Sequence, residues 1–318
     1  MMAMQVVYAV TSGGGDMYSA MTHVSAASVR LSNPSARIVV ACDVVTAGSL
    51  KAAKSPLVDE VDQLLVCETP DGDATFRNRF VKTRLRNVVD GAFLFLDSDT
   101  LVRGDLTPVF EMQCDIAGTR NHSLQTFREQ IWEADLKVLD ELAWRTRDTI
   151  YVNGGVLLYQ DTVVAHEFGK MWHDLWLESS RRSGGYRDQP ALNAAILRSG
   201  VDLAVLDDKY NAQIRRNLAA GRGAVVWHYY SSAELAAITE FEVEVGRIAD
   251  GASLDVQRIR RLMSSEHPLR RRSWLDDWFA GRMMRRAEIS EIDQLWLTGR
   301  RGQFLRRKTG EILRRWGR

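Results

Sequence analysis

The chain has 318 residues, 45% of them hydrophobic and 26% charged, which suits a globular protein with one large core or two smaller ones. A net charge of +1 conceals a division: residues 257–318 hold 17 basic and 7 acidic side chains, whereas residues 1–256 hold 25 and 34. An acidic body with a basic tail gives no reason to expect a nucleic-acid partner, and no apolar run reaches membrane-spanning length. The three cysteines, Cys42, Cys67 and Cys114, are odd in number and far apart, so they read as reduced, buried thiols of a cytoplasmic protein. The opening Met1-Met2-Ala3-Met4-Gln5 lacks a basic n-region, and no signal peptide is expected.

Residues 6–10 read as a first strand, followed by Thr11-Ser12-Gly13-Gly14-Gly15-Asp16 and a helix over 17–31. Strand, glycine loop and helix open a nucleotide-binding α/β unit, with the glycines letting the backbone pass close to a ligand. The spacing is not that of the dinucleotide fingerprint. Residues 37–41 and 63–66 are further strands, joined by a weakly helical 46–53. Helical spacing over 76–89 carries Arg77, Arg79, Lys82, Arg84 and Arg86, an unusually basic face suited to phosphate.

The run Phe93-Leu94-Phe95-Leu96-Asp97-Ser98-Asp99-Thr100-Leu101-Val102 follows, bounded by Gly91 and Gly104, and reads as one strand buried on both faces. Side chains alternate along an extended chain, so Asp97 and Asp99 can face one cation at its carboxyl end. Open α/β sheets bind ligands at that end. Two hard oxygen ligands suit Mg²⁺ or Mn²⁺, which would carry the charge of a diphosphate. A solvated Asp-Ser-Asp turn is the competing reading.

Residues 115–118 are a short strand and 124–148 a helical insertion rich in Trp and charge. A strand over 151–159 enters through Asn153-Gly154-Gly155, and a helix over 161–180 is broken at Ser183-Gly184-Gly185. Asp188-Gln189-Pro190 opens the next helix, with Asp188 at a capping position and Pro in the first turn. Residues 201–206 and 223–227 are strands, the second ending in His228, and from 255 the chain is helical and basic.

Four motifs in fixed order across residues 4 to about 230 resemble the GT-A-fold nucleotide-sugar glycosyltransferases. The nearest resemblance is to the retaining family 8, which holds glycogenin and bacterial lipopolysaccharide galactosyl- and glucosyltransferases. The motifs are Asp97-Ser98-Asp99, Asn153-Gly154-Gly155-Val156-Leu157-Leu158, Asp188-Gln189-Pro190-Ala191-Leu192-Asn193, and His228 preceded by Lys209-Tyr210-Asn211. The resemblance implies an α/β GT-A catalytic domain over 1–250, with a central mixed sheet flanked by helices, and a basic helical extension over 251–318. It also implies Mn²⁺, with Mg²⁺ as the alternative, held by Asp97, Asp99 and His228. An imidazole in a carboxylate site favours Mn²⁺ on ligand grounds.

By the same resemblance, Ala9, Val10, Thr11, Tyr18, Lys82 and Ser98 meet the nucleotide. Arg79, Asn153, Gly154, Gly155, Asp188 and Gln189 line the sugar pocket. Gln189 is expected to stabilise the anomeric centre and Asp188 to grip sugar hydroxyls, covalent catalysis by Asp188 being the weaker version. The implied partners are a nucleotide-sugar donor, a UDP-sugar, and a saccharide or lipid-linked acceptor. Two departures stand out. The acidic residue expected at the end of the first strand is replaced by Thr11, with Asp16 the nearest acid. His228 opens no H-x-x-G-x-x-K-P, whose Lys would clamp the diphosphate. That departure supports the alternative of a catalytically weak module that binds glycans or scaffolds a complex. A sugar nucleotidyltransferase and a haloacid-dehalogenase-type phosphatase fit the motifs less well.

The tail carries Trp274, Leu275, Trp278 and Phe279, and then Phe304, Leu305, Ile312, Leu313 and Trp316 opposite Arg306, Arg307 and Arg314. This is the pattern of a helix in an anionic membrane interface, which would make the protein peripheral at the inner face of the membrane. Packing on the acidic body and a homodimer contact are the competing readings.

Overall fold

Six consecutive buried residues form β1 (Gln5–Val10), and the main sheet grows outward from it on both sides. The computed structural model describes residues 4–123, 126–214, 218–229, 239–269 and 305–309. After β1 come α1 (Met17–Ser32), β2 (Arg37–Asp43), α2 (Val44–Ala52), α3 (Leu57–Glu60), β3 (Gln63–Cys67) and α4 (Ala74–Val88). Next are β4 (Phe93–Leu96), β5 (Thr100–Val102), α5 (Thr107–Phe110), β6 (Ile116–Arg120), α6 (Glu133–Glu141), β7 (Val152–Tyr159) and α7 (Val163–Ser183). The chain continues through α8 (Gln189–Ser199), β8 (Leu203–Val205), β9 (Ala212–Gln213), β10 (Val226–His228), α9 (Glu240–Ala249) and α10 (Val256–Met263).

Seven strands form the main sheet in the order β3-β2-β1-β4-β7-β6-β8. The first four are mutually parallel, β7 runs antiparallel to both β4 and β6, and β8 is parallel to β6. The antiparallel setting of β7 brings its amino end to the edge where β1 and β4 end. A second sheet, β5-β10-β9, has three strands.

One face of the main sheet is covered by α4, α6, α7 and α8, with Val81, Leu85, Phe168, Trp172, Trp176 and Leu192 in the core. The other face is covered by α1, whose Ala26 and Val29 pack on it. The residues from Ser19 to Val29 are all buried because α1 is itself covered by α9 and α10, through Met21, Val24, Phe241, Val245, Ile259 and Leu262. Its run of Ala and Ser lets the layers approach. Arg103 donates to the carbonyls of Met263 and Ser265 and stacks 3.7 Å over Trp227, fastening the end of α10 to the second sheet.

The run 93–102 is two strands rather than one. Leu96 ends β4, and Asp97-Ser98-Asp99 turns the chain into β5, which pairs with β10 in the other sheet. The Asp97 N–H donates to Gly155 O at 2.8 Å and the Thr100 hydroxyl to Asp97 O at 2.9 Å, so the turn is built on fixed backbone bonds. A second difference concerns Asp188. It occupies the capping position of α8 but makes no capping bond, its carboxylate being drawn to two cations of α4 instead. Cys42 is buried as expected, whereas Cys67 and Cys114 are only half-buried, and all three are free thiols.

Among the described residues no helix is long and apolar enough to cross a membrane. Of the tail, 305–309 is helical. The remainder of the amphipathic 303–316 stretch, and the Trp-rich stretch at 273–279, lie outside the described residues. The same holds for 230–238, which follow His228.

Candidate active site

A cleft of about 1040 Å³ opens where β1 and β4 end and β7 begins. Ala9, Val10 and Thr11 come from β1 and its loop, Arg77, Asn78, Arg79 and Lys82 from α4, and Asp97, Ser98 and Asp99 from the turn between the sheets. Asn153, Gly154 and Gly155 come from β7, Asp188 and Gln189 from the head of α8, and His228 from the end of β10. All the residues singled out in the four motifs as ligand-facing thus meet in one cavity.

Asp97, Asp99 and His228 each offer a ligand atom within 4.8 Å of the others. His228 Nε2 lies 3.3 Å from Asp99 and 4.0 Å from Asp97, and the ring is 3% exposed. Burial alone would lower the His228 pKa, but the Asp99 and Asp97 carboxylates outweigh it and raise it above the ordinary value. Two carboxylates and an imidazole converging on one point fit a divalent cation, which would replace the proton as their counter-charge. Gly155 backs directly onto these ligands. A Cβ there would meet His228 Cε1 at 2.3 Å and Asp97 Oδ2 at 2.9 Å, so both side chains would have to shift to admit one.

Lys82 is 3% exposed and bridges two carboxylates, 3.0 Å from Asp97 and 3.1 Å from Asp188, with Phe95 beneath it at 5.0 Å. Arg79 reaches Asp188 at 3.4 Å. Burial would raise the Asp188 pKa, yet Lys82 and Arg79 hold it down at about 2, so it is ionised at any physiological pH. Asp188 in turn raises the Arg79 pKa. Across the head of α8, Gln189 Oε1 accepts from the Gly154 N–H and from Asn153 Nδ2, both at 3.3 Å.

The residues expected to face a nucleotide are tied down by the fold. Asn78 Nδ2 donates to Ala9 O at 3.0 Å, the Thr11 hydroxyl to Ala74 O at 3.0 Å, and Ser98 pairs with the Thr22 hydroxyl of α1 at 2.8 Å. Tyr18 stands 43% exposed at the cleft edge. Asp16 caps α1, accepting from Gly13, Tyr18 and Ser19 N–H groups and the Ser12 hydroxyl, and this role explains its place after the glycines. Gly13 lines the cleft, but Gly14, at φ +98°, packs on α2, where a Cβ would sit 2.5 Å from Ser49 O.

The basic face of α4 divides in two. Arg79 and Lys82 point into the cleft. Arg77 is anchored by Asp43 and the Gly72 carbonyl at its margin, and Arg84 lies over Phe80. Arg86 is spent on the carbonyls of Val89, Gly91 and Gln160, and takes no part in the site.

Sequence reading missed the far wall. Trp132, Asp135, Tyr186 and Arg187 line it, with Arg187 Nε 2.6 Å from Asp135 and the Tyr151 hydroxyl 3.2 Å from the same carboxylate. Burial outweighs Arg187 and raises the Asp135 pKa. No local motif marks these residues, although Arg187 adjoins Asp188. Asn211 was noted only as part of a Tyr-Asn pair, yet it holds His228 Nδ1 at 2.9 Å.

No protein-family model matches the sequence, and no curated protein matches it either. Solved structures do match in fold. The galactosyltransferase LgtC, in complex with donor and acceptor sugar analogues, is 17% identical with a TM-score of 0.53, over 79% of this chain and 97% of its own. An active-site mutant of LgtC gives 17% and 0.52, over 81% of this chain and 100% of its own. The bifunctional glycosyltransferase WbbM gives 16% and 0.53 over 82% of this chain, which spans about half (52%) of WbbM. What the chain shares with them is the GT-A fold, a mixed sheet flanked by helices.

Proposed function

We propose that the protein is a metal-dependent retaining glycosyltransferase that moves a hexose from a nucleotide sugar, a UDP-sugar, to a hydroxyl of a glycan, lipopolysaccharide or lipid-linked acceptor. The observation that carries this reading is the convergence of Asp97, Asp99 and His228 on one point, in a cleft that also holds Lys82, Asp188 and Gln189. The solved GT-A neighbour with donor and acceptor sugar analogues bears on the same reading.

Asp97, Asp99 and His228 would hold a divalent cation, Mn²⁺ by preference, which when bound would supply charge stabilisation for a diphosphate leaving group. The protein's own groups do the rest. Arg79, paired to only one carboxylate, is the cation of α4 best able to turn toward phosphate when a donor arrives. Lys82 keeps Asp97 and Asp188 in place. Asp188, fully ionised and of low basicity, accepts hydrogen bonds from sugar hydroxyls and is a poor nucleophile. Gln189 faces the anomeric centre from the head of α8. Ala9, Val10, Thr11, Tyr18 and Ser98 face the nucleoside, and Gly154 leaves the sugar room.

The proposal extends to the chain's organisation. Residues 1–250 form the catalytic domain and 251–318 a basic extension whose first helix, α10, is anchored on α1. The rest of the extension contacts an anionic membrane at its inner, cytoplasmic face, packs on the body, or pairs two copies. Flotation of the full chain with anionic liposomes tests the first, and sedimentation of the full chain separates the other two.

Calorimetry with UDP-sugars and Mn²⁺ tests the central claim. A bound donor at 100 times its dissociation constant should add about 2.7 kcal/mol of stability. Asp97→Asn and Asp99→Asn should each abolish metal-dependent donor binding while leaving the unfolding transition in place. Unchanged donor affinity in both variants refutes the metal site. Donor binding without any transfer or hydrolysis would instead select the catalytically weak module.

A further inference from the structure

A side-chain amide carries a direction as well as a bond, because one end only donates and the other only accepts. The backbone N–H of Gly155 is a donor whatever surrounds it, and Asn153 Oδ1 receives it at 2.9 Å. That fixes Asn153, with Nδ2 turned to Asn121 Oδ1 at 2.9 Å and Gln189 Oε1 at 3.3 Å. Asn211 is then fixed as well. Its Nδ2 donates to the same Asn153 oxygen at 2.9 Å and to the Thr119 hydroxyl at 2.8 Å. Its Oδ1 therefore faces His228 Nδ1, 2.9 Å away. An acceptor at that point requires the hydrogen on Nδ1, and the opposite nitrogen, Nε2, is the one turned to Asp97 and Asp99. Asn211 is wholly buried, so no solvent competes for these bonds.

We infer that Asn211 is a positioning residue which sets the tautomer of His228, so that Nε2 offers its lone pair to a divalent cation shared with Asp97 and Asp99. The inference rests on the metal site proposed above and deepens it. Asn211 need touch neither cation nor donor. Through Asn153 it also reaches the opposite wall, because the amide that receives the Asn211 hydrogen bond holds Gln189 in turn. Two buried amides, Asn211 and Asn153, thus connect His228 to the residue at the head of α8. The direction of the whole relay is set by a backbone N–H, which can only donate.

The experiment is a titration of the full chain with Mn²⁺ alone, free ion being read by electron paramagnetic resonance, for wild type, Asn211→Ala and Asn211→Asp. Outer partners of metal-bound histidines are typically worth 10- to 100-fold in affinity, so Asn211→Ala should bind Mn²⁺ at least about tenfold more weakly. Asn211→Asp loses the hydrogen bond to Asn153 Oδ1 but keeps an oxygen for the Nδ1–H and adds charge beside the imidazole, so it should bind more tightly than Asn211→Ala. Equal weakening in both would mean that packing was lost rather than an acceptor, and overturns the inference. Wild-type affinity in Asn211→Ala overturns it too, with the metal site intact. A wild-type chain that takes up no Mn²⁺ removes the metal site and the inference together.

Should Asn211→Ala fail to fold, the wild-type protein still answers. Long-range ¹H–¹⁵N spectra of histidine-labelled, Zn²⁺-loaded protein, with His228 assigned from His228→Gln, should show the proton on Nδ1. A proton on Nε2 overturns the proposal.

Discussion

Lys82 and Arg86 lie one turn apart on α4, both buried and both cationic, and they serve different ends of the molecule. Lys82 meets carboxylates contributed by two separate elements, Asp97 after β4 and Asp188 before α8. Arg86 meets main-chain carbonyls at Val89, Gly91 and Gln160, closing the end of α4 against the start of β4 and the end of β7. The first arrangement keeps charge facing a cavity. The second satisfies buried backbone acceptors that would otherwise have no partner. A basic helix face can therefore be half cleft wall and half fastening, and charge alone does not tell which.

The comparison breaks most visibly by exchanging each cation for a methionine. Lys82→Met should lower transfer by about 100-fold, as removal of an active-site charge typically does, and leave the protein folded. Arg86→Met should cost about 3 kcal/mol of stability in chemical unfolding while Mn²⁺ affinity stays unchanged. A destabilised, fully active Lys82→Met would reverse the assignment.

Two glycines sharpen the contrast at smaller amplitude. At the cleft end, Gly155→Ala places a Cβ on His228 and Asp97 and should weaken Mn²⁺ binding about tenfold, the low end for disturbing ligand orientation. At the fastening end, a Cβ on Gly169 would meet Arg86 Cβ at 2.6 Å and Asn87 Oδ1 at 2.9 Å. Gly169→Ala should force α7 away from α4 and cost about 1–3 kcal/mol of stability with metal affinity preserved. Metal titrations and unfolding curves on the pair check both claims, and crossed results would contradict them.

The smallest effect lies between the two ends. Thr83, next to Lys82, holds His173 of α7 at 2.8 Å, and Phe80 and Trp176 flank the ring. Burial pushes the His173 pKa down from 6.5 to about 4. The unfolded chain takes up that proton near pH 6.5 and the folded chain only near 4, so the contribution is complete above 6.5 and is lost as pH falls toward 4. The unfolding temperature should drop over that window in wild type and drop less in His173→Gln. Identical slopes would show that His173 is not the group responsible.

Much of this protein was legible in the chain. Apolar runs placed β1, β2, β7 and the start of β4, because strands buried on both faces need no partner to be recognised, and a shorter run placed β3, the half-buried edge strand. Helical spacing placed α1, α4 and α7, and Gly184, left-handed at φ +67°, ends α7 where the glycines foretold. The split of 93–102 was not legible. A continuous apolar run looks the same whether it stays in one sheet or passes into a second through a turn. Nor could spacing show that Asp188 gives up its capping bond, since Lys82 and Arg79 lie some 100 positions away in sequence.

What the sequence determined alone was a set of short-range facts: the doubled carboxylates, the paired glycines, the acid heading α8 and the histidine ending a strand. Local chemistry fixes these, because periodicity and turn residues act within a few positions. Tertiary structure decided their meaning. The antiparallel entry of β7 carries Asn153 and Gly155 to the edge where β4 releases Asp97. The pairing of β5 with β10 sets His228 beside Asp99. The buried relay from Gly155 through Asn153 and Asn211 exists only when β7 and the start of β9 meet around it, since a hydrogen bond's direction is set by its partner and not by its neighbours in the chain.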